Sequence, residues 1–292
     1  MSTIQDEQMF NTMRTAVLTA YPKIFTDINY GADIFFHATK LATKYGFTFT
    51  PELFVVKMAV EIEARHKAMN EMLKRNLSKN TLVIELAAGL SPRRIEFANV
   101  DYLEVDYSAL VAMKSAIYQS MRLEKYAKGL DAVDLSKREE LRKFLSEIQN
   151  LKNYEKIIVV SEGLFWYLKR EQIQGILEDL SLAFKGLDWC WITADCPVEA
   201  ELKTEYRKVI SNSANVNRDE KFTNSRDFCE FFGKHGFVVD QYKLIDLVSP
   251  KNIYSGSFFS VAENEIANRM NTYTDVAVIK SGVGSNSRPF VK

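Results

Sequence analysis

The chain has 292 residues and carries 38 Lys plus Arg against 38 Asp plus Glu, a formal net charge of zero. That balance gives no basic footprint for nucleic acid or an acidic membrane surface. A chain of this length buries about 75% of its unfolded surface and needs no disulfide staples. The three cysteines, Cys190, Cys196 and Cys229, show no metal-ligand spacing and form no even set, so no metal is expected and reduced thiols in a cytoplasmic protein are. The first residues lack the basic start and apolar run of a secretion signal, and no apolar segment approaches the eighteen residues of a membrane span.

Residues 1–78 read as a helical cover without a buried strand. Leu41 to Tyr45 end one helical pattern that Gly46 can cap. Thr50-Pro51 opens another, which runs through Met58, Ile62, Met69 and Leu73, its methionine stripe read as core packing. The run Thr81 to Arg93 organises the rest. Leu82 to Leu86 form a buried strand interrupted by Glu85; two alanines and Gly89 follow; Ser91-Pro92 then opens a helix as N-cap and first helical residue. Strand, sharp turn and helix make the first unit of a nucleotide-binding α/β sheet, in which Gly89 lets a ligand approach the backbone.

A second strand, Tyr102 to Val105, ends in Asp106, placed to accept two ribose hydroxyls from the tip of the neighbouring strand. Such a charged hydrogen bond contributes roughly 1.5–3 kcal/mol. A dinucleotide fingerprint needs three glycines around its pyrophosphate. Here there is a single glycine beside the acid Glu85, which suits a phosphate-free, cationic nucleoside such as S-adenosylmethionine. Helix 108–127 follows, then a third strand, Gly129 to Leu135, passing Asp134. Ser136-x-x-Glu139 reads as a capping box. Strand Lys156 to Ser161 leads to Glu162-Gly163 and helix 170–184; a fifth strand, Trp189 to Ala194, ends at Asp195. Beyond it come a helix near 198–212, a polar loop Ser213 to Asn224, helix 225–234 and a sixth strand to Tyr242. A connection of some thirty residues, read as a substrate lid, precedes the seventh strand, Asp275 to Lys280. The Gly/Ser-rich tail 281–292 reads as frayed.

The expected architecture is therefore an α/β, Rossmann-like class I methyltransferase fold: a seven-stranded, mostly parallel sheet in the order 3-2-1-4-5-7-6, with helices on both faces and an N-terminal helical cover. The core spans 79–280, with substrate-side insertions near 196–224 and 243–274. The ligand belongs outside the carboxyl ends of strands 1 and 4, where the order reverses.

Five blocks carry a resemblance: Pro22 to Asp27, Glu63-Ala-Arg65, Glu85 to Leu90, Glu104-Val-Asp106 with Met113-Lys114, and Ser161-Glu162-Gly163 to Leu168. Together they resemble the leucine carboxyl methyltransferase family, and more closely its bacterial branch of polyketide O-methyltransferases. The resemblance implies that Arg65 pairs with the methionine carboxylate of S-adenosylmethionine, and that Glu85, Gly89 and Gly163 line the cofactor. It implies that Asp106 with Tyr107 holds the ribose, Asp134-Leu135 meets the adenine, and Glu162 lies near the ammonium with Tyr167 near the acceptor. The chain departs from the family pattern at His66, at Asn70 and at Ser91-Pro92, which bears on the acceptor more than on the cofactor.

The expected reaction is in-line methyl transfer to an oxygen of a small molecule, Glu162 and Tyr167 being the catalytic candidates, with orientation supplying up to ~7–11 kcal/mol of the barrier. A carboxylate acceptor needs no base; for a hydroxyl, His37, His66 and Tyr167 are candidates. Trp166, Tyr167, Phe258 and Phe259 are candidates to wall the acceptor pocket. The competing reading is a cofactor-binding scaffold of the same fold without turnover. Nothing in the sequence speaks to oligomeric state.

Overall fold

The computed structural model describes residues 13–44, 55–197, 222–272 and 274–282. The expected helix near 198–212, most of the 196–224 insertion, the caps at Gly46 and Thr50-Pro51 and nearly all of the tail lie outside these residues.

The sheet is built from β1 (Thr81–Leu86), β2 (Asp101–Asp106), β3 (Leu130–Ala132), β4 (Lys156–Ser161), β5 (Trp189–Cys196), β6 (Phe237–Tyr242) and β7 (Asp275–Ser281). Its order is β3-β2-β1-β4-β5-β7-β6. All neighbours pair parallel except β7, which runs antiparallel to both β5 and β6. Central β1 and β4 are near-continuous apolar runs, the composition of strands covered on both faces. Alternation distributes their side chains: Leu82, Ile84, Leu86, Ile157 and Val159 face one core, Val83, Ile158 and Val160 the other.

The first core is closed by α6 (Arg138–Glu147), α7 (Arg170–Ala183) and helix Ser225–Lys234, with Phe165, Phe228 and Phe232 in mutual ring contact. The second is closed by α3 (Val55–Asn76), whose Met69, Met72 and Leu73 are buried against the sheet. The connection between β6 and β7 packs Leu244, Leu247, Ile253, Ile266 and Met270 into this same core. A third cluster joins α1 (residues 13–20) and α2 (Gly31–Lys44) to α5 (Ser108–Ser120). Among the described residues no helix is long and apolar enough to cross a membrane.

Local departures from the sequence reading have identifiable causes. The third strand is three residues long, because it pairs with β2 alone and the chain turns at Asp134, which accepts from the Ser136 amide and hydroxyl. Ser136 is thereby spent on the turn, and the helix starts two residues later with Lys137 as its N-cap. After Ser91-Pro92 the helix is a single turn, α4 (Arg93–Glu96), with Pro92 as N-cap and the Ser91 hydroxyl accepting from the Arg93 amide. Helix α5 stops at Ser120 because Arg122 takes a positive φ of 58°.

Candidate functional site

A pocket opens at the carboxyl ends of β1, β2 and β4, on the side where the strand order reverses. Its floor comes from the loop 87–91 after β1, from Asp106 and Tyr107 after β2, from Val133 and Leu135, and from Glu162 to Leu168 after β4. Its roof comes from Glu61, Ile62 and Arg65 of α3 and from Thr15 and Thr19 of α1. Lys23, in the 3-10 turn Tyr21–Phe25, continues that roof. Thr15, Thr19 and Lys23 recur every four residues, so one face of the segment looks into the pocket.

Asp106 shapes one end. Its two carboxylate oxygens accept from the Gly89 amide and the Tyr107 amide, each at 2.7 Å. A φ of +49° at Gly89 strains any other residue there. Each oxygen keeps a second lone pair free for a ligand hydroxyl. Burial pushes the Asp106 pKa up to about 6, the two amides opposing it. The same device recurs one strand pair away. Asp195, at the end of β5, accepts from the amides of Gly163 (2.7 Å) and Phe165 (3.2 Å) and so fixes the loop after β4. Burial raises its pKa as well.

The other end is an ion network. Glu162 accepts from Arg65 Nε at 2.8 Å and from Arg93 Nη2 at 2.9 Å. Burial alone would raise the Glu162 pKa; the two guanidiniums override it and hold the carboxyl well below the usual range. Arg93 is fully buried and also pairs with Glu85, which in turn accepts from the Tyr102 hydroxyl at 2.7 Å. Arg65 lies within 3.4 Å of Glu61 as well. Behind the pocket, Arg93 Nε donates to Asn70 Oδ1 (2.8 Å), the Asn70 amide donates to Glu96 (2.6 Å), and Glu96 meets His66 Nε2 at 2.8 Å. Two of the positions where the chain departs from the family pattern, 66 and 70, thus belong to one buried network with Arg93.

Nine of the ten expected site residues line this pocket: Arg65, Glu85, Gly89, Asp106, Tyr107, Leu135, Glu162, Gly163 and Tyr167. Asp134 is not among the lining residues; it accepts from the Ser136 amide and pairs with Lys137, and its charge acts on the lining Tyr107. Glu85, read as an acid beside the loop, is paired there with Arg93. Of the base candidates, His37 is bonded to Ser120 Oγ and His66 is buried behind the pocket, so neither lines it. Tyr167 does, but burial pushes its phenol up to about 12, which keeps it protonated at neutral pH. Trp166 lines the pocket; Phe258 and Phe259 instead pack at a tilt against Phe25. The connection 243–274, expected as a lid, contributes no described residue to the lining.

Sequence reasoning gave no role to Arg93, Lys23, Glu61 or Asp195. For Asp195 a signal was present, an acid closing an apolar strand as Asp106 does. For Glu61 it was present too, one helical turn before Arg65; for Arg93 and Lys23 it was not, because Glu162 and Leu90 lie 69 and 67 positions away.

A seven-stranded sheet of this order, with an antiparallel β7 and a pocket at the switch point, is the class I methyltransferase fold. The family model for leucine carboxyl methyltransferase matches residues 33–181, just over half of the chain, and the chain belongs to that family. No curated protein matches the sequence. Among solved structures, mitomycin 7-O-methyltransferase is similar at 8% identity and a TM-score of 0.46, over 78% of this chain and 56% of that one, so the chain spans little more than half of it. Geranyl diphosphate C-methyltransferase from Streptomyces coelicolor is similar at 10% identity and a TM-score of 0.44, over 80% and 88%. Magnesium protoporphyrin IX methyltransferase from Synechocystis is similar at 13% identity and a TM-score of 0.42, over 85% and 97%.

Proposed function

We propose that the chain is an O-methyltransferase acting on a small molecule, with a carboxylate as the preferred acceptor group. When bound, S-adenosylmethionine supplies an electrophilic methyl group on a sulfonium sulfur. The donor set fits it. Asp106 offers two free lone pairs to ribose hydroxyls, and Asp134 and Leu135, with Tyr107 beside them, meet the adenine. Gly89 and Gly163 admit close approach of backbone. Glu162 holds the ammonium and Arg65 the carboxylate of the methionine end; Glu85, through Arg93, keeps Glu162 ionised and oriented. Tyr167, a neutral phenol at the pocket mouth, orients the acceptor by donating a hydrogen bond.

The observation that carries the reading is Asp106, tied by both oxygens to the loops after β1 and β2 yet still able to accept from a nucleoside. The carboxylate acceptor is supported by two points. The family is named for a carboxyl acceptor, and an ionised carboxylate needs no base, while His37, His66 and Tyr167 are all badly placed or poorly matched for that role. Calorimetry with S-adenosylhomocysteine and NAD tests the cofactor; binding of NAD in preference sinks the reading. Release of S-adenosylhomocysteine on incubation with a panel of carboxylic acids and phenols tests the acceptor. No turnover with any member, despite cofactor binding, favours the scaffold reading.

A further inference from the structure

Two of the three thiols meet outside the pocket. Cys190 and Cys196 both stand on β5 at even positions, so an unbroken strand would turn them to one face of the sheet. They face opposite ways: Cys190 belongs to the core under α3, Cys196 to the core under helix Ser225–Lys234. The switch is a bulge. Thr193 pairs with Ala277 and Cys196 with Asp275, so β5 spends one residue more than β7 over this stretch. The extra residue turns Cys196 towards the helix that carries Cys229. There the side-chain amide of Gln241, on β6, donates to the Cys196 sulfur at 3.3 Å, to the Cys229 sulfur at 3.0 Å and to the Ser225 carbonyl at 3.4 Å. Two sulfurs on one donor nitrogen are close neighbours, and a change of side-chain rotamer is the movement that takes such a pair to bonding distance.

We propose that Cys196 and Cys229 form a redox site, a thiol pair that a hydroperoxide closes to a disulfide. Cys229 is half-buried and Cys196 fully buried, so Cys229 is the sulfur an oxidant reaches. Its thiolate attacks one peroxide oxygen and breaks the O–O bond, becoming a sulfenic acid while the other oxygen leaves and takes a proton. The Cys196 sulfur then displaces the sulfenic oxygen as water. The thiols lose two electrons and two protons, and the hydroperoxide becomes an alcohol and water. Burial, and after it the Asp275 carboxylate, hold both thiols above their ordinary pKa; for Cys196 the neighbouring Asp195 adds to this and the Gln241 amide opposes it. Closure is therefore slow at neutral pH and quickens as pH rises. The bond braces the loop after β4. Asp195, the residue before Cys196, holds the Gly163 and Phe165 amides, and Phe228, the residue before Cys229, packs its ring against Phe165 at 6.1 Å. Tying Cys196 to Cys229 joins both supports of the segment that carries Glu162 and Tyr167.

The test treats the wild-type protein with hydrogen peroxide at mildly alkaline pH, quenches in acid, counts free thiols and maps the peptides. Free thiols should fall from three to one, at a rate that rises with pH. The chain should be lighter by two hydrogens, with a linked peptide joining Cys196 to Cys229, and dithiothreitol should restore all the thiols. Cys190→Ala should still form the link and Cys229→Ala should not; if Cys229→Ala does not fold, the wild-type peptide map decides. Hydrogen exchange of the Gly163 and Phe165 amides should slow in the oxidised protein and recover on reduction, and unchanged exchange in cross-linked protein overturns the brace. A link that uses Cys190, a link between two chains, or Cys229 oxidised to a sulfinic acid with Cys196 still free overturns the site. So does retention of all three thiols under conditions that oxidise added glutathione.

Discussion

The two ends of the pocket hold their acids in opposite ways. At one end Asp106 is gripped by two backbone amides and makes no ion pair among the described residues. At the other, Glu162 and Glu85 are gripped by the side chains of Arg65 and Arg93. Backbone donors are fixed by the fold and carry no net charge, so burial outweighs them and pushes the Asp106 pKa up to about 6. Side-chain cations compensate the charge outright, and Glu162 stays ionised far below that. The first arrangement is a local property of two adjacent strand ends. The second is a long-range network that fails as a unit.

The largest expected effect comes from breaking that unit. Arg93 is fully buried between Glu85, Glu162 and Asn70, and removing one partner of a buried pair strands the others. Arg93→Met should cost about 3–5 kcal/mol in urea unfolding. Adding Glu85→Gln should recover part of the loss, since the stranded charge is then gone. A loss below ~1 kcal/mol would show that the network is solvated rather than buried.

Asp106→Ala attacks the other end and should behave differently. It should weaken S-adenosylhomocysteine at least tenfold by calorimetry, the cost of a lost charge-assisted pair, while destabilising the chain less than Arg93→Met does. Unchanged affinity would remove Asp106 from the ribose role.

This contrast also explains how much was legible beforehand. The seven strands and the place of Asp106 beside the first loop follow from strand spacing, and the sheet order and the pocket at the switch point from the class I methyltransferase pattern those strands fit; the bond from Gly89 to Asp106 was not foreseen. In the sheet Leu86 pairs with Val105, so Asp106 sits one step beyond the end of β1, beside the loop it serves. Adjacent parallel strands make such a placement readable from periodicity alone. The methionine stripe of α3 was readable for the same reason, and Met69 and Met72 are core. Arg93 was visible only as the residue after an unusual Ser91-Pro92. Its function depends on Glu162, 69 positions away, and on Asn70, 23 positions back. Lys23 depends on Leu90 across 67 positions. Helix packing, which pattern reading does not fix, brings these together. Which of Val133, Asp134 and Leu135 lines the pocket was not legible, because β3 ends early and a turn at Asp134 sets the direction of each side chain.

A third measurement sharpens the contrast through pH. Asp106 has a folded-state pKa raised from 3.8 to about 6, so it gains a proton as pH falls through about 6 while Glu162 keeps its charge. Protonation in the native state before the unfolded one means this group favours folding increasingly as pH falls from 6 towards 4. Cofactor affinity should move the other way, declining below about pH 6 as Asp106 loses acceptor capacity. Asp106→Asn should abolish the decline. If the decline persists in that variant, another group controls it.

The smallest expected effect is at the pocket mouth, where neither kind of anchoring operates. The Tyr167 phenol is held neutral, its pKa pushed up to about 12 by burial of the group in the pocket and by Asp106 and Asp195, against a hydrogen bond with Thr15. A phenol that keeps its proton can donate to an acceptor oxygen but cannot withdraw a proton from it at pH 7. Tyr167→Phe removes that donor and little else, so turnover should fall between about twofold and tenfold, the range of one net hydrogen bond of ~0.5–1.5 kcal/mol. Cofactor affinity should change far less than in Asp106→Ala, because no hydrogen bond joins Tyr167 to Asp106 or Glu162 among the bonds that hold those acids. A far larger loss, with a pH–rate profile rising towards the phenol pKa, would instead assign Tyr167 the role of base and point to a hydroxyl acceptor.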